Sequence, residues 1–194
     1  MGKYNLRKLV ILSSYEGDTF IDDVENAAVF NRFRNDPDVT VLIVSSRIHL
    51  KWALKDLVGR GETFHSLLID THGHDGAFYA GSDAIGASFM ENHTEVSALF
   101  PLYTKCYLAG CDIGGEDDDE KKMQHGKDFL RAIGESWLRL GGGEVSAWSS
   151  EGLTLPIFGP FFGGHTMHWI GSHLFTAYFG PGGIFLRIVE RKSG

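Results

Sequence analysis

A histidine and a cysteine each stand just beyond an apolar run of the sequence. The run at residues 66–69 leads to His72, and the run at residues 106–109 leads to Cys111. A thiolate attacks carbonyl carbon well, but a thiol needs a neighbouring base or positive charge to lose its proton. Histidine is the usual base, because it titrates near neutral pH and can later protonate the leaving amine. These two residues therefore indicate covalent catalysis, with Cys111 as nucleophile and His72 as base.

A glycine adjoins each of these residues: Gly110 precedes Cys111, and Gly73 follows His72. Glycine lets a substrate backbone approach closely and leaves its amide N–H free to bind an oxyanion. Gly73 is therefore a candidate donor to the negative charge that develops on the attacked carbonyl oxygen.

The elements that must position these residues alternate between strand and helix. Continuous apolar runs, typical of strands buried on both faces, occupy residues 9–12, 39–44, 66–69 and 106–109, and residues 144–148 are expected to form a fifth strand. Helices are expected at about residues 22–33, 47–58 and 129–140, and a hairpin at about 173–189. Residues 76–101 show little pattern beyond a short helix near 94–100.

This alternation predicts an α/β fold, a three-layer sandwich in which helices cover both faces of a mostly parallel sheet, with a C-terminal β-hairpin. Catalytic groups in such sheets gather at the carboxyl ends of the strands. We therefore expect His72 and Cys111 to lie on the same edge of the sheet. The 194 residues are expected to form one domain, with a core at about 7–150 and a glycine- and aromatic-rich loop plus the hairpin at about 151–191.

Both segments resemble signatures of the caspase-like (clan CD) cysteine peptidases. Leu67-Leu68-Ile69-Asp70-Thr71-His72-Gly73 is similar to their apolar strand followed by Ser/Thr-His-Gly. Tyr107-Leu108-Ala109-Gly110-Cys111 is similar to their strand that ends in a small residue and the catalytic cysteine. The family includes caspases, metacaspases, legumains, clostripain, gingipains, separases and CHAT domains. The resemblance covers about residues 7–150 and is greater to bacterial single-domain and CHAT-like members than to true caspases.

The resemblance implies a caspase-like fold and a cysteine endopeptidase that acts through an acyl-enzyme, without a cofactor, on a protein or peptide substrate. It implies His72 as general base, Cys111 as nucleophile, and the backbone N–H groups of Gly73 and Cys111 as oxyanion donors. The two side chains act in that family as a dyad. Gly110-Cys111-Asp112-Ile113 stands where caspases have Ala-Cys-Arg-Gly, so caspase-type aspartate specificity is not expected.

The pocket for the residue before the scissile bond is expected near the carboxyl end of the strand at 144–148. Trp148 is a candidate wall, Ser149 lies beside it, and Glu151 or Asp112 could receive a basic side chain. Because no arginine is placed to receive an acidic side chain, we expect a preference for arginine or lysine.

Two other functions compete with the peptidase. His72, His74 and Asp75 lie close together in sequence, as metal ligands do, so a metal-dependent hydrolase is the first alternative. A non-catalytic caspase-like interaction module is the second, with the apolar loop at 159–169 as its contact surface. The role of His74 stays unassigned.

Composition narrows the partners. The formal net charge of −7 argues against nucleic acid, and no stretch approaches the length of a membrane span. The chain has 2 cysteines and no secretory apolar segment, which favours a reducing cytoplasm. A regulatory partner or fused domains are compatible with the sequence.

Overall fold

A computed structural model describes residues 7–13, 30–110, 112–115, 119–149, 152–153, 167–168 and 173–192. The described strands, in chain order, are β1 Lys8–Ser13, β2 Val39–Val44, β3 Ser66–Asp70, β4 Gly73–His74, β5 Ala77–Ala80, β6 Asp83–Ile85, β7 Thr104–Leu108, β8 Gly143–Trp148, β9 Gly152–Leu153, β10 Met167–His168, β11 His173–Gly180 and β12 Ile184–Lys192. The described helices are α1 Arg47–Gly59, α2 Ala87–Glu91, a 3₁₀ helix at Thr94–Leu99, and α3 Glu120–Ser136.

Seven of these strands form one sheet in the order β12-β11-β8-β7-β3-β1-β2. The pairs from β2 to β8 are parallel, while β11 pairs antiparallel with β8 and with β12. The predicted mostly parallel sheet and C-terminal hairpin are therefore confirmed.

Both faces of this sheet are covered, because successive residues of a strand point to opposite sides. On one face, Ile11, Ile69 and Leu108 share a buried cluster with side chains of α1, α2, the 3₁₀ helix and α3, among them Leu54 and Phe129. The other face carries Val10, Leu12, Leu68, Tyr107 and Ala109, and packs against Phe30 and Phe33 of a short helical stretch. The continuous apolar runs read from the sequence are thus strands that contribute to both layers of the core.

Side-chain caps fix where the two longer helices begin. Ser46 precedes α1, and its hydroxyl accepts a hydrogen bond from His49 N at 3.1 Å. Asp119 precedes α3, and its carboxylate accepts from the backbone N–H groups of Lys121 and Lys122. The carboxylate satisfies N–H groups that lack a partner in the first turn of the helix.

Residues 73–101, which include the stretch at 76–101 where the sequence pattern was weak, contain a small antiparallel sheet as well as α2 and the 3₁₀ helix. Its strands lie in the order β4-β5-β6. Two hydrogen bonds join this small sheet to β1 and to α1. Ser13 Oγ accepts from Gly81 N at 2.7 Å, and Asp83 Oδ2 accepts from Arg47 N at 2.8 Å.

β12 forms one edge of the seven-stranded sheet. Its residues Ile184 and Leu186 are 62% and 61% exposed. The basic side chains that alternate with or follow them on this strand are also exposed; they are Arg187, Arg191 and Lys192.

Most of the helix expected at 22–33 and most of the loop at 151–172 lie outside the described residues. None of the described helices is long and apolar enough to cross a membrane.

Close contact between α3 and the loop at 112–115 requires glycine on both sides, and a Cβ on Gly115 would lie 2.1 Å from the carbonyl oxygen of Lys122 in α3. A Cβ on Gly126 would lie 2.1 Å from the carbonyl oxygen of Gly114, far inside van der Waals contact. A Cβ on Gly76 would lie 2.7 Å from the carbonyl oxygen of His125. The first turns of α3 therefore touch the backbone of two loops at the carboxyl edge of the sheet.

We expect Gly126→Ala to lower the free energy of unfolding by about 1–3 kcal/mol, the usual cost of overpacking. Gly59→Ala is the matched control, because a Cβ there has no atom within 4 Å. Helix propensity alone favours alanine at both positions by roughly 0.5–1 kcal/mol. Urea unfolding of both variants therefore separates the two effects, and a Gly126→Ala protein as stable as Gly59→Ala would contradict the close packing.

Candidate functional site

The two strands that lead to His72 and Cys111 are adjacent and parallel. In the register of β3 and β7, Ile69 lies opposite Leu108, and Ala109 N donates to Ile69 O at 2.8 Å one residue further on. Both chains then leave the sheet at the same edge. The prediction that the histidine and cysteine segments share one edge of the sheet is confirmed for the strands that carry them.

Gly110 brings these two chains into direct contact. A Cβ on this residue would lie 2.4 Å from Thr71 O and 2.9 Å from Gly73 N, the backbone atoms on either side of His72. No side chain fits at that distance. The residue directly before the cysteine is therefore packed against the backbone that carries the histidine.

The peptide unit between His72 and Gly73 is oriented by a hydrogen bond to β5. His72 O, in the same peptide unit, accepts from Tyr79 N of β5 at 2.9 Å. Peptide bonds of the described residues are all trans, so the N–H of Gly73 points away from β5. Gly73 N also lies close to Gly110, 2.9 Å from where its Cβ would be. The role of this N–H as an oxyanion donor stays a prediction.

His72 sits on a turn that hydrogen bonds hold in place. The side chain is half-buried and its Nε2 atom is buried. Its carbonyl oxygen accepts from Thr71 Oγ1 at 2.8 Å as well as from Tyr79 N. The β4–β5 turn follows, with Asp75 at φ 43°, a left-handed conformation that aspartate tolerates better than most residues. The backbone of the histidine is thus fixed from β3 on one side and β5 on the other.

The loop after position 111 is joined to the end of β8. Gly114 N donates to Trp148 O at 2.7 Å, and Gly115 N donates to Asp112 O at 2.8 Å. Asp112 is half-buried and has φ 49°. The predicted pocket residues Asp112 and Trp148 therefore lie on segments that touch each other.

Trp148 is the last residue of β8, and Ser149 follows it. Trp148 is half-buried, and its Nε1 donates to Tyr107 Oη at 2.9 Å. Ser149 is fully buried; its hydroxyl accepts from His173 N, and its own N–H donates to His173 O. Contact of either side chain with substrate stays a prediction. Cys111 and Glu151 lie outside the described residues.

Asp70 is a feature of the site that the sequence reasoning did not assign. It lies two residues before His72, is 7% exposed, and its Oδ2 has no hydrogen-bond partner within the described chain. Burial raises the pKa of Asp70 to about 6. The signal in the sequence is one acidic residue at the end of an otherwise apolar strand.

The residues of the metal-site alternative are not assembled into a ligand set. His74 is exposed, and Asp75 pairs with His125 Nδ1 of α3 at 3.4 Å. In the described part of the chain, no group of three or more histidine, cysteine or acidic side chains is arranged to hold a metal ion. The described geometry gives the metal hydrolase no support.

Comparison of the sequence with models of known protein families gives no match, and comparison with curated proteins gives none either.

The buried carboxyl of Asp70 predicts a pH-dependent cost to stability. Its folded pKa lies above the unfolded value of about 4, so the folded state binds the proton more tightly. The contribution of this group to the free energy of unfolding is therefore fully present below pH 4, and it is lost as the pH rises to about 6. We expect Asp70→Asn to gain about 2–3 kcal/mol relative to wild type between pH 4 and pH 8.

Urea unfolding of both proteins across that pH range measures the difference. Asp128→Asn, which removes an exposed carboxylate of α3, controls for the loss of one charge. If the free energies of unfolding of wild type and Asp70→Asn change with pH in parallel, burial of the Asp70 carboxylate does not lower stability as the pH rises.

Proposed function

We propose that this protein is a cysteine endopeptidase whose dyad is Cys111 and His72. The observation that supports it best is the contact of Gly110 with the backbone atoms of Thr71 and Gly73. Gly110 directly precedes Cys111 in the sequence. The proposal extends this contact between backbones to a contact between the thiol of Cys111 and the imidazole of His72.

In the proposed reaction, His72 takes the proton of the Cys111 thiol as the sulfur bonds to the carbonyl carbon of the scissile peptide. The N–H groups of Gly73 and Cys111 stabilise the resulting oxyanion. The C–N bond then breaks, and His72 gives its proton to the leaving amine. A water molecule, deprotonated by His72, hydrolyses the thioester, which releases the acid and restores the thiol.

The architecture favours such a reaction because it fixes the reacting segments before substrate binds. Both segments leave adjacent buried strands, the histidine turn is bonded to β5, and the loop after the cysteine is bonded to β8 and packed on α3. Preorganised groups need little rearrangement during the reaction. The caspase-like resemblance gives a protein or peptide as the substrate class. A reducing cytoplasm, where the thiol stays free, is the proposed location.

Alkylation by iodoacetamide tests the dyad. We expect fast labelling of Cys111 near neutral pH, and a loss of roughly tenfold or more in rate at pH 7 in His72→Ala, because an ordinary thiol is only a few per cent ionised there. Peptide mapping by mass spectrometry locates the label, and Cys111→Ala removes it.

Cys106 is the internal control in the same molecule. It is fully buried in β7, and burial raises the pKa of its thiol. Labelling should therefore stay confined to Cys111 while the protein is folded. Slow labelling of Cys111 that follows the pH profile of a free thiol, unchanged in His72→Ala, would refute the dyad.

A further inference from the structure

The strand β12 forms the outer edge of the C-terminal hairpin. Within the described residues it ends the seven-stranded sheet, and β11 is the one strand that pairs with it. The register is continuous from Arg187 to Lys192 and shifts once before this stretch, between Phe185 and Arg187. Every second residue of an antiparallel edge strand points its N–H and C=O groups away from its neighbour. Residues 187–192 therefore present a regular row of backbone hydrogen-bonding groups on the outer side.

Cationic side chains border this edge on both faces of the sheet. Arg187 and Arg191 lie on the same face as Val189, because alternate residues of a strand point the same way, and both arginines are exposed. Phe185 packs on the opposite face, where the guanidinium of Arg131 of α3 lies 4.4 Å from its ring centroid. Positive charge thus flanks the row of backbone groups on two sides.

The cations of β12 have no anionic partner among the described residues. Arg187, Arg191 and Lys192 form no ion pair within that part of the chain. Glu190, the one acidic residue of the strand, is already bonded to His173 Nδ1 of β11. The formal net charge of the whole chain is −7, so this edge is a basic strip on an acidic protein.

An occupant that matches this edge needs an extended backbone and acidic side chains. An extended backbone pairs with the outward N–H and C=O groups, as in peptide complexes that add a strand to a sheet. Acidic side chains offset the cations on both faces. A second copy of β12 supplies the backbone but sets cations against cations, and like charges directly opposite each other destabilise paired strands. The charge of the edge therefore favours a different chain over a second copy.

We propose that the outer edge of β12 binds an extended acidic segment of a partner protein, which joins the sheet as a further strand. Main-chain hydrogen bonds hold the segment, and acidic side chains opposite Arg187, Arg191 and Lys192 select it. Ile184 and Leu186, at the start of β12, are 62% and 61% exposed and offer apolar contact to a longer segment. This binding edge is separate from the proposed dyad and does not depend on peptidase activity.

A peptide matched to the register of residues 187–192 tests the proposal. Its sequence is Glu-Glu-Thr-Val-Val-Glu, which in an antiparallel arrangement sets a glutamate opposite each cation and threonine opposite Glu190. The N-terminus is acetylated, and fluorescein is attached to the C-terminus through a Gly-Ser linker. We expect saturable binding to wild type, measured by fluorescence polarisation.

Two N-methylated forms of this peptide separate strand pairing from simple charge attraction. Each form carries methyl groups on alternate backbone nitrogens, in one form on the odd residues and in the other on the even residues. One set of nitrogens faces β12 and the other faces solvent. One form should therefore bind at least roughly tenfold more weakly than the parent, because its hydrogen bonds to β12 are lost, while the other form binds like the parent.

Charge reversal on β12 tests the selection for acidic side chains. Arg187→Glu/Arg191→Glu should bind the peptide at least roughly tenfold more weakly, because cross-strand pairs change from attraction to repulsion. The same variant should gain binding to a peptide with lysine in place of each glutamate. Lys55→Glu/Arg60→Glu is the matched control: it changes the net charge equally on α1, which packs against β2 at the opposite edge of the sheet, and should bind like wild type.

No saturable binding to wild type would overturn the proposal, as would equal affinities of the two N-methylated forms or an unchanged affinity in Arg187→Glu/Arg191→Glu. The N-methylated pair is measured on wild type, so it decides the question even if that variant does not fold. Sedimentation velocity examines the competing occupant. A wild-type dimer that becomes a monomer in Arg187→Glu/Arg191→Glu would assign the edge to a second copy instead.

Discussion

The site depends on one steric constraint, the contact between the backbone of Gly110 and the backbone on either side of His72. Parallel pairing of β3 and β7 brings the two chains to the same edge of the sheet. The absence of a side chain at Gly110 permits the contact, because Thr71 O and Gly73 N both lie within 3 Å of where its Cβ would be. Hydrogen bonds to β5 and to β8 then hold the histidine turn and the loop after position 111.

Other glycines permit similar close backbone contacts between α3 and the segments around the site. Gly115 and Gly126 let the loop after position 111 touch α3, and Gly76 lets the turn after the histidine touch the carbonyl of His125. One helix therefore contacts both the turn after His72 and the loop after position 111 through backbone atoms. Close-packed main chain transmits a displacement instead of absorbing it, so these contacts help to fix the relative position of the two segments.

The parts of the structure that follow from a pattern within one strand could be predicted from the sequence. The strands that carry His72 and Cys111 were predictable, because both are buried on both faces and read as continuous apolar runs. Their shared edge followed from the carboxyl-end rule for parallel sheets. The β4-β5-β6 sheet was not predicted, since strands of two to four residues are too short for a period to emerge.

The character of Asp70 was hidden for a different reason. Its two-residue distance from His72 is visible in the sequence, but its burial depends on Leu12 and Ala109, which strand pairing brings from positions 58 and 39 residues away. A pattern within one strand carries no such information. The thiol of Cys111 and the carboxylate of Glu151 lie outside the described residues, so their part in the site stays a prediction.

The edge strand β12 affects how readily the protein aggregates. It presents nine residues of strand with Ile184 and Leu186 more than half exposed, and such an edge is a template for pairing with another chain. Its three basic residues, Arg187, Arg191 and Lys192, outnumber its one acidic residue, Glu190, so two such edges repel one another. Salt screens that repulsion within about 10 Å at 0.1 M. The protein should therefore stay dispersed more readily at low ionic strength, and concentrated stocks in high salt are where precipitation would start.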